Sequence, residues 1–391
     1  MTHIVSIVVG HKWMAYIALR YMKKTLFILI LLSSAPAWGQ LNNTAFEQRM
    51  AVAEADSGKL FLGLNVLGFF KDNEYFDTTI EGYTLFGYQF NPYLSYHIAR
   101  NVRLDAGVYA QKDFGNDDYT EVQPTVSLKI TNNRNFNFIF GTLEGSVHHR
   151  LIEPLYDFES VLNNRLENGA QVLWMKDDLF LDAWIDWQNM IYFNDTEPER
   201  FAAGLSINKT FFRKNGFHID VPFQFVGNHQ GGQIDTVDNV VQTVFNGATG
   251  LTIEGELNGV VKSWGLKSYI VGYMGDDLPF EDGFGFFINP YITTKIGLTV
   301  MGSYWKGIEY LTVQGGDLYP SINAKYPTRV DEVRDFFMLR MLYDVKIAQG
   351  LILTARAEPF YDTYANSLEY SFGLYLNFSD RFFLLNAKKG R

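Results

Sequence analysis

A chain of 391 residues is long enough for two or three ordinary domains, although a single all-β barrel can also reach this size. Aromatic residues make up 16% of the chain, yet its mean hydropathy is only −0.08, which excludes a bundle of membrane-spanning helices. The formal net charge of −10 argues against nucleic-acid binding, and the absence of cysteine excludes a disulfide-stabilised scaffold.

The first predicted element is an N-terminal leader that contains a signal peptide, residues 1–39. Its apolar run, Thr25 to Leu32, is too short to span a membrane and lies between Met22-Lys23-Lys24 and the small residues of "SSAPAWGQ". We expect cleavage after Gly39 or after Ala37, with Met22 as the true start. Residues 1–39 hold four basic side chains and no acid, so the mature chain has a net charge of −14.

Residues 40–58 are predicted to form a short periplasmic segment. Thr44 to Glu47 fits the capping-box pattern, which favours one short helix, although a disordered leader fits equally well. Residues 59–378 are predicted to form a barrel. Residues 379–391 are either a C-terminal tail or the end of the last strand, in which case Phe382-Phe383 replaces Phe378 as the terminal aromatic.

The chain after Lys59 shows the alternation of apolar and polar side chains that is typical of strands. In Leu368 to Phe378, for example, Phe372, Leu374 and Leu376 share one face, and Glu369, Ser371 and Asn377 share the other. The predicted strands are 60–70, 84–98, 101–112, 120–131, 135–144, 167–176, 179–189, 200–211, 216–227, 248–257, 260–273, 283–292, 295–305, 335–347, 350–360 and 367–378.

The connections between these sixteen strands alternate between long and short along the whole chain. A membrane barrel with both ends in the periplasm needs an even strand number, short turns on the periplasmic side and longer loops outside. A soluble two-sheet protein gives no reason for such alternation. The sequence therefore predicts an all-β fold, a transmembrane antiparallel up-and-down barrel of about sixteen strands with a range of 14–18.

The signal peptide, the alternating segments and the late strand "YSFGLYLNF" together resemble Gram-negative outer-membrane porins over essentially the whole mature chain. The resemblance is architectural and points to no specific family. It implies a multi-pass barrel in the outer membrane, with lipid and the barrel-assembly machinery as partners. Sixteen-stranded porins are often trimers, so it also implies a homotrimer.

The polar face of each strand supplies the predicted lining of the pore. It includes nine acids and six bases, so the lumen has mixed charge with a mild acidic excess. This favours cations or neutral polar solutes, unless the charges only pair between neighbouring strands. The predicted pore-lining residues are Arg103, Asp105, Tyr109, Lys129, Asp182, Trp184, Asp186, Asp220, Glu254, Glu256, Lys267, Arg340, Asp344, Arg356, Glu358 and Glu369, and Lys346 is the sixth base.

The third long connection, Gly145 to Arg165, is the predicted constriction. In porins of this size the third extracellular loop commonly folds into the lumen, and the resemblance implies the same for this loop. Adjacent histidines in an extended segment point to opposite sides, so His148 and His149 do not readily share a metal ion. The predicted constriction residues are His148, His149, Arg150, Glu153, Asp157 and Glu159.

The favoured function is an outer-membrane pore for passive diffusion of small hydrophilic solutes. Inward aromatics such as Trp184 and Tyr109 also suit an oligosaccharide channel, although such side chains often form interfacial girdles. Two alternatives stay open: a non-catalytic barrel for transport or secretion of envelope polymers such as polysaccharide, and an outer-membrane enzyme. Because the sequence has no nucleophile elbow and no "HExxH", we expect no catalytic residues, no metal and no cofactor.

Overall fold

The computed structural model describes residues 43–76, 79–132, 135–231, 241–276 and 278–387. The predicted leader and its cleavage sites lie outside these ranges. Within them, no helix has the length and apolar character needed to cross a membrane.

Sixteen antiparallel strands form one closed barrel, as predicted, and each strand pairs with its neighbours in sequence order. The ring closes where β1 pairs with β16, from Lys59 opposite Asn386 to Glu74 opposite Tyr370. The strands are β1 Lys59–Glu74, β2 Thr84–Ala99, β3 Val102–Asp113, β4 Glu121–Thr131, β5 Phe136–Thr142, β6 Asn168–Lys176, β7 Leu179–Asn189, β8 Arg200–Lys214, β9 Phe217–Gln230, β10 Gln242–Glu256, β11 Val261–Gly275, β12 Asp282–Thr294, β13 Leu298–Ile308, β14 Val333–Ala348, β15 Leu351–Asp362 and β16 Ser367–Asn386.

The two faces of the wall differ as the alternation predicts. On β16, Leu374 is 50% exposed and Leu376 44%, whereas Ser371 is only 4% exposed and Glu369 3%. The exposed face is apolar and suits lipid, whereas the buried face is polar and lines the lumen. All backbone groups of a closed sheet can pair within the wall, which is what a hydrocarbon environment requires.

Some details add to the sequence-based expectation or differ from it. The pairing of β16 continues past Phe378 to Asn386, so Phe382 and Phe383 belong to the last strand, which is one of the two alternatives that the sequence left open. Instead of a helix, the N-terminal segment has single 3-10 turns at Thr44–Phe46 and Glu54–Asp56. β10 begins at Gln242, six residues before its predicted start at 248.

Candidate functional site

The third loop, residues 143–167 between β5 and β6, folds back among the inward-facing side chains of the wall. Its apolar residues, among them Ile152, Leu155 and Val161, are buried. Arg150 takes a left-handed conformation, with φ of 56°, directly after the 3-10 turn Ser146–His149. Gln224 of β9 then holds the loop, because it accepts a hydrogen bond from Ile152 N at 2.8 Å and donates one to Arg150 O at 2.9 Å.

His149 joins the loop to β7 through two carboxylates and an aromatic ring. Its Nδ1 lies 2.9 Å from Asp182, its Nε2 lies 2.7 Å from Glu167, and its ring stacks on Trp184. Burial by itself lowers the pKa of His149, but the charges of Glu167 and Asp182 outweigh burial and raise this pKa to about 10. Tyr156 donates a further hydrogen bond to Glu167 at 2.6 Å. The group is therefore an ion cluster that fixes the loop.

His148 has different partners from its neighbour. Its Nε2 accepts a hydrogen bond from Gln48 N at 2.6 Å, and its Nδ1 lies 2.5 Å from Gly145 O. Burial and the nearby charge of Arg49 lower the pKa of His148 to about 4, so this ring is neutral. Among the described residues, no group of three His, Asp or Glu side chains has the arrangement of a metal site.

Two acids of the loop pair with bases on wall strands that are not neighbours of β5 and β6. Glu153 pairs with Arg340 of β14 and accepts a hydrogen bond from Tyr319 at 2.6 Å. Glu159 pairs with Lys71 of β1 at 2.5 Å and accepts hydrogen bonds from the side chains of Asn73 and Tyr83. His149 anchors the loop at β7, and these two pairs anchor it at β14 and β1. The loop therefore crosses the lumen.

Arg356 of β15 provides an aromatic contact to the same loop. Its guanidinium carbon lies 3.9 Å from the ring centroid of Phe158 and 4.9 Å from that of Phe46. A guanidinium over an aromatic face is attracted by the ring quadrupole. Arg356 thus joins the wall, the third loop and the N-terminal segment at one point.

Two more segments enter the lumen, and neither is predicted by the sequence pattern. In the seventh loop, residues 309–332, Tyr310 donates a hydrogen bond to Pro154 O at 2.7 Å, and Gln314 O accepts one from Asp157 N at 2.7 Å. In the N-terminal segment, residues 43–58, Arg49 pairs with Glu144 at 3.0 Å. The seventh connection contains Tyr310 and Tyr319, which are buried in the structure, but no local sequence pattern predicts this packing.

Three polar cavities remain around these segments, with volumes of about 120, 400 and 60 Å³. The first lies between the third loop and β1 to β5. The second faces β8 to β13, and Asn208, Glu254, Lys267 and Tyr291 are among its lining residues. The third contains the contacts of Glu153 and Glu159. Water and small solutes therefore have space beside the loop, although the barrel is largely filled.

The predicted pore-lining residues fall into two groups. Those in contact with the third loop are Lys129, Asp182, Trp184, Arg340 and Arg356. Among the others, Arg103 contacts the N-terminal segment, Glu369 accepts a hydrogen bond from Phe76 N beyond the end of β1, and Glu256 is exposed. The rest contact other residues of the wall: Asp105, Tyr109, Asp186, Asp220, Glu254, Lys267, Asp344 and Glu358. Their role as a pore lining stays a prediction.

A polar pair on the outer face of the barrel also escaped the sequence analysis. His229 of β9 and Thr243 of β10 are directly opposite in the register, with His229 Nδ1 2.9 Å from Thr243 Oγ1. Both point outward near the ends of strands that lead to long connections. Phe201 lies beside the imidazole, with centroids 5.1 Å apart, and Trp187 stacks on Phe201. The pair therefore lies in an aromatic surface of the kind found at membrane interfaces.

Comparison with known proteins gives one family and a set of similar folds. A family model described as "Lipid A 3'-O-deacylase-type" matches residues 52–387. No curated protein matches the chain. The expectation that the chain is not an enzyme is wrong on this finding, because the matching family bears the name of an enzyme.

Solved structures with similar folds are outer-membrane proteins. The chain is similar to OprD from Pseudomonas aeruginosa, with 12% identity, a TM-score of 0.50, and coverage of 86% of this chain and 98% of OprD. A loop-deletion mutant of OmpT from Vibrio cholerae has 13% identity and a TM-score of 0.51, with coverage of 83% and 100%. OpdL from Pseudomonas aeruginosa has 11% identity and a TM-score of 0.50, with coverage of 83% and 99%. The chain thus has the fold of a porin-like barrel of the Gram-negative outer membrane.

Proposed function

The chain belongs to the Lipid A 3'-O-deacylase-type family, and within that family we propose that its barrel is a narrowed channel for small hydrophilic solutes. The observation that supports this function is the position of the third loop. Glu153 reaches Arg340 of β14, across the ring from β5 and β6, and Glu159 reaches Lys71 of β1, while polar cavities remain on both sides of the loop. A passage of this kind admits small polar molecules and excludes large ones.

The charges at the narrowing support a preference for cations and neutral polar solutes. Glu153, Asp157 and Glu159 of the loop lie with Asp317 around the smallest cavity, where Lys71 and Arg340 are the only bases among its lining residues. Fixed charges at a narrow point of a pore act most strongly on passing ions. The local excess of acid therefore favours cations over anions there.

Deletion of Ile152 to Leu162 tests the channel. We expect higher single-channel conductance in planar bilayers and a larger solute size limit, because the deletion removes the lumen-crossing part of the loop. The wall keeps its own hydrogen bonds, so the barrel still folds. Deletion of residues 115–118 in the second long connection is the matched control and leaves conductance unchanged. Unaltered conductance in a folded third-loop deletion would contradict the proposal.

The outward pair His229 and Thr243 favours a second activity, hydrolysis of an acyl ester of lipid A. His229 accepts the proton of the Thr243 hydroxyl as its oxygen attacks the ester carbonyl. His229 then returns the proton to the departing sugar oxygen, which leaves an acyl-threonine. Water, deprotonated by the same imidazole, releases the fatty acid and restores the threonine.

Mass spectrometry of lipid A tests this activity. Vesicles that contain lipid A and the purified barrel should lose one acyl chain from lipid A, and Thr243→Ala or His229→Gln should abolish the loss. Thr249→Ala is the matched control, since Thr249 lies on the same strand and on the same outward face. Deacylation that persists in both pair variants would place the reaction elsewhere on the barrel, whereas its absence from the wild type would contradict the proposed activity.

A further inference from the structure

Among the residues that the structure describes, Arg165 at the end of the third loop has no acidic partner. Within them its guanidinium donates to two neutral acceptors, Gln89 Oε1 at 3.2 Å and Phe46 O at 3.3 Å. Burial lowers the pKa of Arg165, and among the described residues no carboxylate opposes this effect. Arg165 is half-buried, and a guanidinium remains charged in proteins, so a bound anion would lower the free energy of this charge.

Arg165 lines the cavity of about 120 Å³ between the third loop and β1 to β5. Neutral hydrogen-bonding side chains surround it there, including Gln48, Asn91 and Thr125. Ser127 lines the same cavity and is 5% exposed, yet its hydroxyl has no hydrogen-bond partner within the described part of the chain. A buried hydroxyl of this kind costs free energy unless a bound molecule or water satisfies it.

The other charges at this cavity are already compensated. Arg103 pairs with Asp105, and Glu144 pairs with both Lys129 and Arg49. Glu47 pairs with Arg49 and Arg150, and His148 is neutral. The charge of Arg165 is therefore the one that a bound anion would neutralise.

We propose that this cavity binds a small carboxylate, with Arg165 as its ion-pair partner and Ser127 as a hydrogen-bond donor. A carboxylate fits the planar fork of a guanidinium, and the volume limits the ligand to a few non-hydrogen atoms. The site can bind an anion although the lumen as a whole has an excess of acidic residues, because the charge of Arg165 is not compensated by the other side chains at the cavity. The proposal depends on the cavity alone and holds whether or not the barrel conducts.

Binding of acetate to the full detergent-solubilised barrel tests the site. Saturation-transfer NMR on the acetate methyl group, titrated at constant ionic strength with chloride, gives the dissociation constant. We expect Arg165→Gln to weaken acetate binding about tenfold or more, and Ser127→Ala to weaken it about fivefold. Arg165→Lys keeps the charge without the fork and should give an intermediate affinity.

Arg213→Gln is the control, because it removes an exposed arginine of β8 that does not line this cavity. Its acetate affinity should equal that of the wild type. Equal affinities in the wild type and Arg165→Gln would overturn the proposal, as would the absence of saturable acetate binding in a folded wild-type barrel. If Arg165→Gln does not fold, Ser127→Ala decides, and unchanged affinity in that variant overturns the proposed arrangement. Conductance, measured separately, decides the channel function.

Discussion

His149 of the third loop lies flat against Trp184 of β7, with ring centroids 3.6 Å apart and ring planes 10° from parallel. Asp182 and Glu167 hold the two ring nitrogens at the same time. The stacking and the two ion pairs therefore fix the beginning of the loop inside the barrel, where each of the four side chains is at most 5% exposed.

Replacement of His149 by Gln should destabilise the docked loop by roughly 3–5 kcal/mol, because two buried carboxylates lose their charged partner. The measurement is unfolding of the purified barrel, followed by its mobility on a detergent gel. His218→Gln is the control, since His218 is half-buried near a short turn and pairs with Glu254. Equal stability of both variants would show that the His149 cluster does not hold the loop.

The same histidine predicts a pH dependence. Its folded-state pKa of about 10 lies above the ordinary value of about 6.5. The stabilisation is therefore complete below pH 6.5 or so and is lost as the pH rises toward 10. The wild-type unfolding temperature should decline across this window, and that of His149→Gln should decline less. Parallel curves for the two proteins would contradict the charged state assigned to His149.

The orientation of the wall gives a prediction about insertion. Leu374 and Ile185 face outward, so arginine at either position should cost about 2–4 kcal/mol where the side chain lies near the middle of the membrane. Ser371 also faces inward, but it is buried beside a narrow cavity, so arginine does not fit there without displacing its neighbours. Asn208→Arg is the better control, because Asn208 faces the cavity of about 400 Å³. Equal loss of folding at all three positions would contradict the assignment of the two faces.

The sequence predicts the strands of the wall and their orientation, but it does not predict the segments that fill the lumen. The reason is physical. Each strand must be apolar toward lipid and polar toward the interior, so residues such as Leu374 and Glu369 reveal the strand and its orientation by alternation alone. The segments that fill the lumen have no such period. Tyr310 and Tyr319 reach their partners through irregular backbone, and no local pattern predicts that Tyr310 meets Pro154.

Pairs that depend on strand register are also hidden in the sequence. His229 and Thr243 are fourteen positions apart and become neighbours only because β9 and β10 pair in one particular register. A search for local catalytic motifs therefore could not find them. The uncompensated charge of Arg165 was equally invisible, because its lack of a partner depends on where every nearby acid lies.

The processing of the N-terminus is tested by sequencing the mature protein. Protein purified from outer membranes should begin at Gln40, or at Trp38 if cleavage follows Ala37. A shortened gene that starts at Met22 should be exported as well as the full reading frame, because the basic and apolar parts of the signal remain. Mature protein that still contains residues 1–21 would contradict the assignment.

Asp157 should make the ion selectivity of the channel depend on pH near neutrality. Burial and the adjacent negative charge of Glu159 raise the pKa of Asp157 to about 7. Below this pH the carboxyl is neutral, and above it the narrowing gains a negative charge beside Glu159. Cation preference, measured as the reversal potential across a salt gradient, should therefore rise between about pH 6 and 8.

Asp157→Asn keeps the shape of the side chain and removes its titration, so its reversal potential should stay near the low-pH value of the wild type. Glu159→Gln should also weaken cation preference, and both effects should be larger at low salt, where screening is least. The raised pKa of Asp157 also determines how the stability of the folded protein changes with pH. A carboxyl whose folded-state pKa is raised from about 4 to about 7 destabilises the folded protein as the pH rises through that interval. Thermal unfolding of Asp157→Asn should lack this loss. A wild-type reversal potential that does not change across pH 7 would show that Asp157 does not lie on the path of the ions.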